Sequence, residues 1–171
     1  MLGELITSKT RLRLLVKFFI SQANKGYLNG LATEMGESTN SIRKELNHLY
    51  DAGYLKKTKV NNKVEYNVNT THPLYETLKK VVYKHLGLED IIESVLNRMG
   101  DVEQILITGD YAKGIDSGNI EVIIVGNQIN YKYLANLEEK IENLISRRVS
   151  FFLTARPPLQ KHILTIYNKQ K

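Results

Sequence analysis

The chain has 171 residues, 42% of them apolar and 25% charged, with no cysteine and a net charge of +6. That composition suits one domain or two small ones with ordinary cores, and it excludes disulfides and thiolate metal sites. No apolar run approaches the ~20 residues of a membrane span, and the opening MLGELITSKTRLRL lacks a secretory apolar segment, so no membrane contact and a cytoplasmic location are expected.

The charge is unevenly placed. Residues 1–86 carry 14 Lys and Arg against 7 Asp and Glu, whereas residues 87–171 carry 10 against 11. A basic surplus confined to the first half suits contact with a polyanion there and leaves the second half another task.

Thr7 or Ser8 can cap a first helix whose Leu12, Leu15, Val16 and Phe19 form an apolar face reaching about Ala23. Asn24-Lys25-Gly26 closes it, and Tyr27-Leu28 is a candidate short strand. Asn29 can cap a short helix, Gly30 to Met35, which Gly36 ends. A second helix is expected from about Ser38 to Ala52, with Ile42, Leu46, Leu49 and Tyr50 at the spacing of a buried stripe. Ser38, Thr39, Asn40, Ser41, Arg43, Lys44 and Asn47 are left on the opposite face or at the helix start. They are short, hydrogen-bonding or cationic, with no acid among them, as a helix entering a major groove needs. Arg43 and Asn47 are the expected readers of base edges.

Gly53 ends that helix, and two strands are expected, Tyr54–Val60 and Lys63–Val68, turning at Asn61-Asn62. Lys56, Lys57, Lys59 and Lys63, with Asn61 at the tip, are placed for phosphates. His48 is read as a packed or surface residue, with DNA contact the alternative; Tyr66 is read as core, with phosphate contact the alternative.

From Thr7 to Tyr83, and above all in LNHLYDAGYLKKTKVNNKVEYNVN, the chain resembles the winged helix-turn-helix of bacterial and archaeal regulators of the ArsR type. The resemblance implies double-stranded DNA as partner, transcription regulation as function and a homodimer as the working form. Relatives often sense metals through Cys or His clusters. Here Cys is absent and His48, His72, His85 and His162 are scattered, so neither a metal site nor a cofactor is expected.

After the hairpin, Pro73 takes a favoured first helical position, followed by Leu74, Leu78, Val81, Val82 and Leu86 at helical spacing. Gly87 interrupts, and Leu88 to Met99 carries Ile91, Ile92, Val95 and Leu96. This passage braces the winged helix, links to a second domain, or pairs two copies; the sequence leaves the three open. The pattern then changes. Val102–Thr108, Asn119–Gly126 and Arg148–Thr154 read as strands, Gly109–Lys113 as a turn or short helix, and Tyr131–Ser146 as an amphipathic helix. Leu134, Leu137, Ile141, Leu144 and Ile145 face inward on it, and Pro157–Asn168 reads as a last helix.

The passage LITGDYAKGIDSGNIEVIIVG resembles the signature of minimal nucleotidyltransferases of the polymerase-beta superfamily, over roughly Asp101 to Pro158. The resemblance places Gly109 and Asp110 at that family's Gly-Ser pair, Tyr111 to Gly114 at the residues after it, and Asn119 and Glu121 at its two aspartates. Such a cleft, at Gly109, Asp110, Lys113, Asn119 and Glu121, implies a nucleotide or small-molecule effector. The departures argue against transfer. Asn119 is a neutral amide, Glu121 is a methylene too long, Asp110 is an anion where a phosphate-binding serine stands, and the third strand offers Val149, Ser150 and Phe151. Arg147-Arg148, at a strand start, is read as solvated.

The expectation is an α+β chain: a winged helix-turn-helix at 1–72, a helical linker at 73–100 and a small α/β nucleotidyltransferase-like domain with a mixed sheet at 101–171. Its function would be sequence-specific DNA-binding transcription regulation, with a catalytically inactive second domain that acts in sensing, dimerisation or partner docking or is a relic supporting the dimer or the linker. An active metal-dependent nucleotidyltransferase using the winged helix for docking is the alternative, and an interaction scaffold without either activity is a third class.

Overall fold

The computed structural model describes residues 2–170; Met1 and Lys171, the outermost residues of the expected domains, lie outside that range. Among the described residues are eight α-helices and two sheets, and the chain divides into two units between Val82 and Tyr83. No described helix is long and apolar enough to cross a membrane.

In the first unit a single turn, α1 (Leu2–Leu5), precedes α2 (Lys9–Phe19). Ser8 caps α2, its hydroxyl accepting the Arg11 N–H at 3.1 Å. Leu14, Phe18, Phe19 and Ile20 are all buried, a broader face than the expected stripe, while Leu12 is only half-buried. The face widens because helix α4 (Thr39–Asp51) and strand β3 (Lys63–Val68) both pack on α2.

β1 (Lys25–Tyr27), β2 (Leu55–Val60) and β3 form an antiparallel sheet in the order β1-β3-β2. Asn61 and Asn62 turn the hairpin with φ of +47° and +62°. Between β1 and α4 lies α3 (Leu28–Met35), which Asn29 does not cap. Tyr27 is held extended by its pairing with Glu65, so the helix begins where the strand stops and Asn29 falls inside it.

α5 (Tyr75–Leu86) starts two residues after Pro73, and the Tyr75 ring lies 5.9 Å from that of Phe19. The division between units falls inside α5, so the expected linker is shared. Tyr75 belongs to the first core, and α6 (Leu88–Arg98) gives Leu88, Ile91 and Val95 to the second, each fully buried.

The second unit continues with β4 (Gly100–Thr108), α7 (Gly109–Ala112), β5 (Asn119–Ile129), a 3-10 turn at Tyr131–Tyr133, α8 (Leu134–Ile145), β6 (Arg148–Thr154) and β7 (Leu164–Asn168). Its sheet runs β6-β5-β4-β7, with β5 parallel to β6 and the other pairs antiparallel. Register puts Leu106, Ile123 and Phe152 on one face; Ile105, Ile107, Val122 and Ile124 project from the other and are fully buried. α6 and α8 pack on each other and on the sheet, adding Leu137 and Ile141 to the core. Leu144 was expected inside but is 59% exposed.

The expected final helix is absent. Residues 157–163 are irregular, and Leu164–Asn168 adds an antiparallel strand to β4. Ile163, Leu164 and Tyr167 have helical spacing, but Pro157-Pro158 cannot donate backbone hydrogen bonds and ILTIY is rich in β-branched and aromatic residues. A free edge on β4 decides between the two. Ile163 packs against Leu106, Ile123 and Val125. The opposite edge of the sheet is closed by side chains: Glu142 and Glu138 of α8 accept the backbone N–H groups of Val149 and Phe151 at 2.9 and 3.1 Å.

Gly87 joins α5 to α6 with φ +79°, and a side chain there would overlap Ile145. Gly87→Ala therefore combines left-handed strain with overpacking and should cost about 2–4 kcal/mol, read as a lower urea midpoint with unchanged slope.

Candidate functional site

α4 is built to show one face and seat the other. Ser38 caps it, accepting the Ser41 N–H at 3.1 Å, and its hydroxyl lies 3.0 Å from that of Ser41, so these two residues are spent partly on the helix start. Ile42, Leu46 and Leu49 are buried as expected. The fourth stripe residue is not Tyr50, which is 41% exposed, but Glu45, which is 6% exposed. The sequence set contains no acid because this one is turned inward. Ser8 Oγ donates to Glu45 Oε1 at 2.8 Å and Arg11 Nε to Oε2 at 2.7 Å. Burial pushes the Glu45 carboxyl up, but the Arg11 and Ser8 hydrogen bonds outweigh it and hold it below the usual carboxylate range.

Thr39, Asn40, Arg43, Lys44 and Asn47 are all exposed, and Arg43 donates to Asn40 Oδ1 at 3.2 Å. Asp51, also exposed, is the acid at the far end of this surface. Tyr50 turns to the hairpin, where the Lys57 ammonium stands 3.8 Å from its ring centre. The same ammonium lies 5.7 Å from the Tyr66 ring, which is buried in the sheet as expected. Lys57 is thereby tied to the end of α4 by a cation–π contact rather than left free on the hairpin.

Register separates the other hairpin lysines. Lys59 pairs with Val64 and shares a face with Lys57, whereas Lys63 pairs with Val60 on the opposite face. Asn61, with positive φ, is exposed at the tip. Midway along the hairpin, Glu65 accepts from the Tyr27 hydroxyl at 2.8 Å and pairs with Lys25 at 3.0 Å, contacts that hold its carboxyl below the ordinary range.

In the second unit the expected cleft is brought together in part. Thr108, Glu121 and Ser150 form a row across three strands, and Asn119 and Arg148 form the next row on the same face. Thr108 Oγ1 donates to Glu121 Oε2 at 3.1 Å. Gly109, with φ +66°, lies against the same carboxylate, where a Cβ would come within 2.9 Å of it. Asp110 and Lys113, at the start and end of the α7 turn, are exposed. The two rows offer the Glu121 carboxylate, the hydroxyls of Thr108 and Ser150 and the Asn119 amide beside Arg148, with Asp110 exposed on the α7 turn, whereas two magnesium ions require bridging acids that converge.

A different cluster, unannounced by the sequence, holds the loop before β5. The Tyr111 hydroxyl, on a fully buried ring, donates to Asp116 Oδ1 and accepts the Gly118 N–H at 3.1 Å. Arg147 grips both Asp116 oxygens, Nε at 2.9 Å and Nη2 at 2.7 Å, and its Nη1 donates to the carbonyls of His85 and Ile145. Arg147 is therefore clamped, not solvated; its side chain is 15% exposed. Burial pushes the Asp116 carboxyl up, but Arg147 and the Tyr111 hydroxyl more than reverse this and hold it below its ordinary value. Burial, then Asp116, pushes the Tyr111 phenol far up. An open cleft of about 560 Å³ lies between this loop and the end of α8, lined by Ser117, Gly118, Asn119, Ser146, Arg147 and Arg148 among others. Only the fold places the two arginines beside Asn119, some thirty positions distant in sequence.

Two solved structures are similar to about half of this chain, each at a TM-score of 0.39. Reduced HlyU from Vibrio cholerae N16961 is 17% identical, covering 48% of this chain and 82% of its own. The AntR antimony-specific transcriptional repressor is 21% identical, covering 53% of this chain and 81% of its own. No protein-family model matches the chain, and no curated protein matches it.

The Asp116 clamp has a pH signature. A carboxyl held below its unfolded value adds stability that is full above the ordinary 3.8 and lost as pH falls through the lower folded value. Asp116→Asn should lower stability near neutral pH by about 1–3 kcal/mol, since Arg147 loses its charged partner. It should also flatten the loss of stability below pH 3.8, followed by denaturant titration across the acid range.

Proposed function

We propose that the protein is a DNA-binding transcription regulator in which α4 lies in the major groove and the β2–β3 hairpin tracks the adjacent backbone. The observation that carries this reading is the exposed row Asn40, Arg43, Lys44 and Asn47, flanked by a basic hairpin whose Lys57 is fixed to the same helix. The charge surplus of residues 1–86 lies in the same part of the chain, where a polyanion's attraction is felt. Arg43 and Asn47 read base edges, a guanidinium suiting guanine and an amide suiting adenine. Ser38, Thr39, Ser41 and Lys44 contact the groove wall near the helix start. Lys59 holds a phosphate, with Lys57 beside it, and Asn61 and Lys63 approach from the hairpin's other side. Two copies reading two half-sites is the form this arrangement favours.

The second unit, in this reading, is a nucleotidyltransferase-like body without transfer activity that serves sensing, pairing or docking. Asn119 beside a cationic Arg148 and the lone Glu121 carboxylate support the loss of metal chemistry. Its cleft at Gly109, Asp110, Lys113, Asn119 and Glu121 is where a nucleotide or small effector would be held.

Three outcomes test this. Arg43→Ala should weaken binding to a duplex selected from a random library by about 1–3 kcal/mol while leaving mixed-sequence binding nearly unchanged. Lys59→Ala should weaken both alike and reduce the slope of log K against log salt by about 0.9. Equal effects of both changes on both duplexes would contradict the assignment of roles. Incubation with labelled ATP and Mg²⁺ should give no transfer; sustained transfer that Glu121→Gln abolishes would instead establish an enzyme.

A further inference from the structure

The hairpin occupies only one flank of α4. Tyr50 turns towards it, with the Lys57 ammonium 3.8 Å from its ring centre, and Arg43 falls on the same side by helical angle. At the helical angle of about 100° per residue, His48 falls on the other side of the row Asn40, Lys44 and Asn47, with Glu45 below it. The start of α2 stands against that flank. Arg11 Nε is 2.7 Å from Glu45 Oε2, and Arg11 Nη2 is 3.3 Å from His48 Nδ1.

This guanidinium is held from within and open from without. The Glu45 side chain is 8% exposed and that of Arg11 40%. Glu45 is itself fixed by Ser8, so the acid cannot follow the arginine if it swings away. Arg11 Nη1 has no partner among the described residues, leaving its two N–H groups for an outside acceptor. A guanidinium with its Nε engaged is already ordered, so it forfeits less rotamer freedom on meeting an anion than a solvated lysine does.

A helix in a major groove about 12 Å wide lies between two phosphate walls, one from each strand. The hairpin lysines serve one. We propose that Arg11 binds a backbone phosphate on the other strand, with Glu45 as its positioning residue, so that α4 is gripped from both sides. This rests on the duplex reading above and adds a contact that the basic hairpin does not predict. The arginine is distant from α4 in sequence, and its role follows from the 2.7 Å contact that brings it there.

The test compares the full chain, Glu45→Gln, and the double variant Arg11→Gln/Glu45→Gln, which removes the charge pair while keeping hydrogen-bonding side chains in both positions. Binding to a labelled mixed-sequence duplex is followed from about 50 to about 200 mM salt, with thermal melts to confirm folding. The double variant should melt cooperatively and show a slope of log K against log salt about 0.9 shallower than Glu45→Gln alone. Its effect should add to that of Lys59→Ala. A folded double variant with an unchanged slope overturns this inference and leaves the duplex reading standing. An unaltered protein that binds no duplex overturns both. Phosphate-ethylation interference on a library-selected duplex localises the contact: a phosphate signal that Glu45→Gln shows and the double variant loses, on the strand opposite the hairpin lysines, supports Arg11, and an identical pattern for the two variants overturns it.

Discussion

A carboxylate buried between two helices has to be matched in place, and Glu45 is matched by Arg11 and Ser8. Left unpaired, such a charge would cost several kcal/mol or pick up a proton. Both donors come from the start of α2, and one of them, Ser8, also caps that helix. The rotation of α4 about its own axis is therefore fixed by hydrogen bonds as well as by Ile42, Leu46 and Leu49. With Glu45 turned in, Tyr50 must turn out, and its ring becomes the surface on which Lys57 rests. The exposed polar row, the seat of the hairpin lysine and the place of Arg11 are three consequences of one buried acid.

The second unit uses the same device for a different end. Asp116 is gripped by Arg147 and by the Tyr111 hydroxyl, which fastens a loop containing Gly114 and Gly118, both at positive φ. The loop would otherwise be among the most mobile parts of the sheet's rim, since few apolar groups hold it. Two more acids, Glu138 and Glu142, are spent on the free N–H groups of β6. An edge strand with its donors already taken is a poor template for pairing with another chain. Several of the acids that make this half of the chain nearly neutral in net charge are thus engaged in holding the fold.

That division bears on what the polar face of the second sheet can do. Glu121 is the one carboxylate in the row Thr108–Glu121–Ser150, and the next row pairs an amide with an arginine. Hard divalent cations need several anionic oxygens converging at short range. The row offers hydrogen-bonding variety around a single carboxylate.

Much of the fold could be read from the chain by itself. A helix cap at Thr7 or Ser8, the helix start near Ser38, the Asn61-Asn62 hairpin, the strand–helix–strand order after Val102 and the concentration of basic residues in the first half are local or additive properties. They depend on neighbours a few positions away, or on counting. Tertiary structure alone decided the others. Tyr50 and Glu45 exchanged places because Arg11, 34 positions earlier, offers the acid a partner that periodicity cannot reveal. Leu164–Asn168 became a strand because β4 had an open edge to fill. Arg147 became a clamp because Asp116, 31 positions away, arrives beside it. In each case the deciding free energy is that of a pairing between distant residues, and such a pairing leaves no spacing in the sequence to be read.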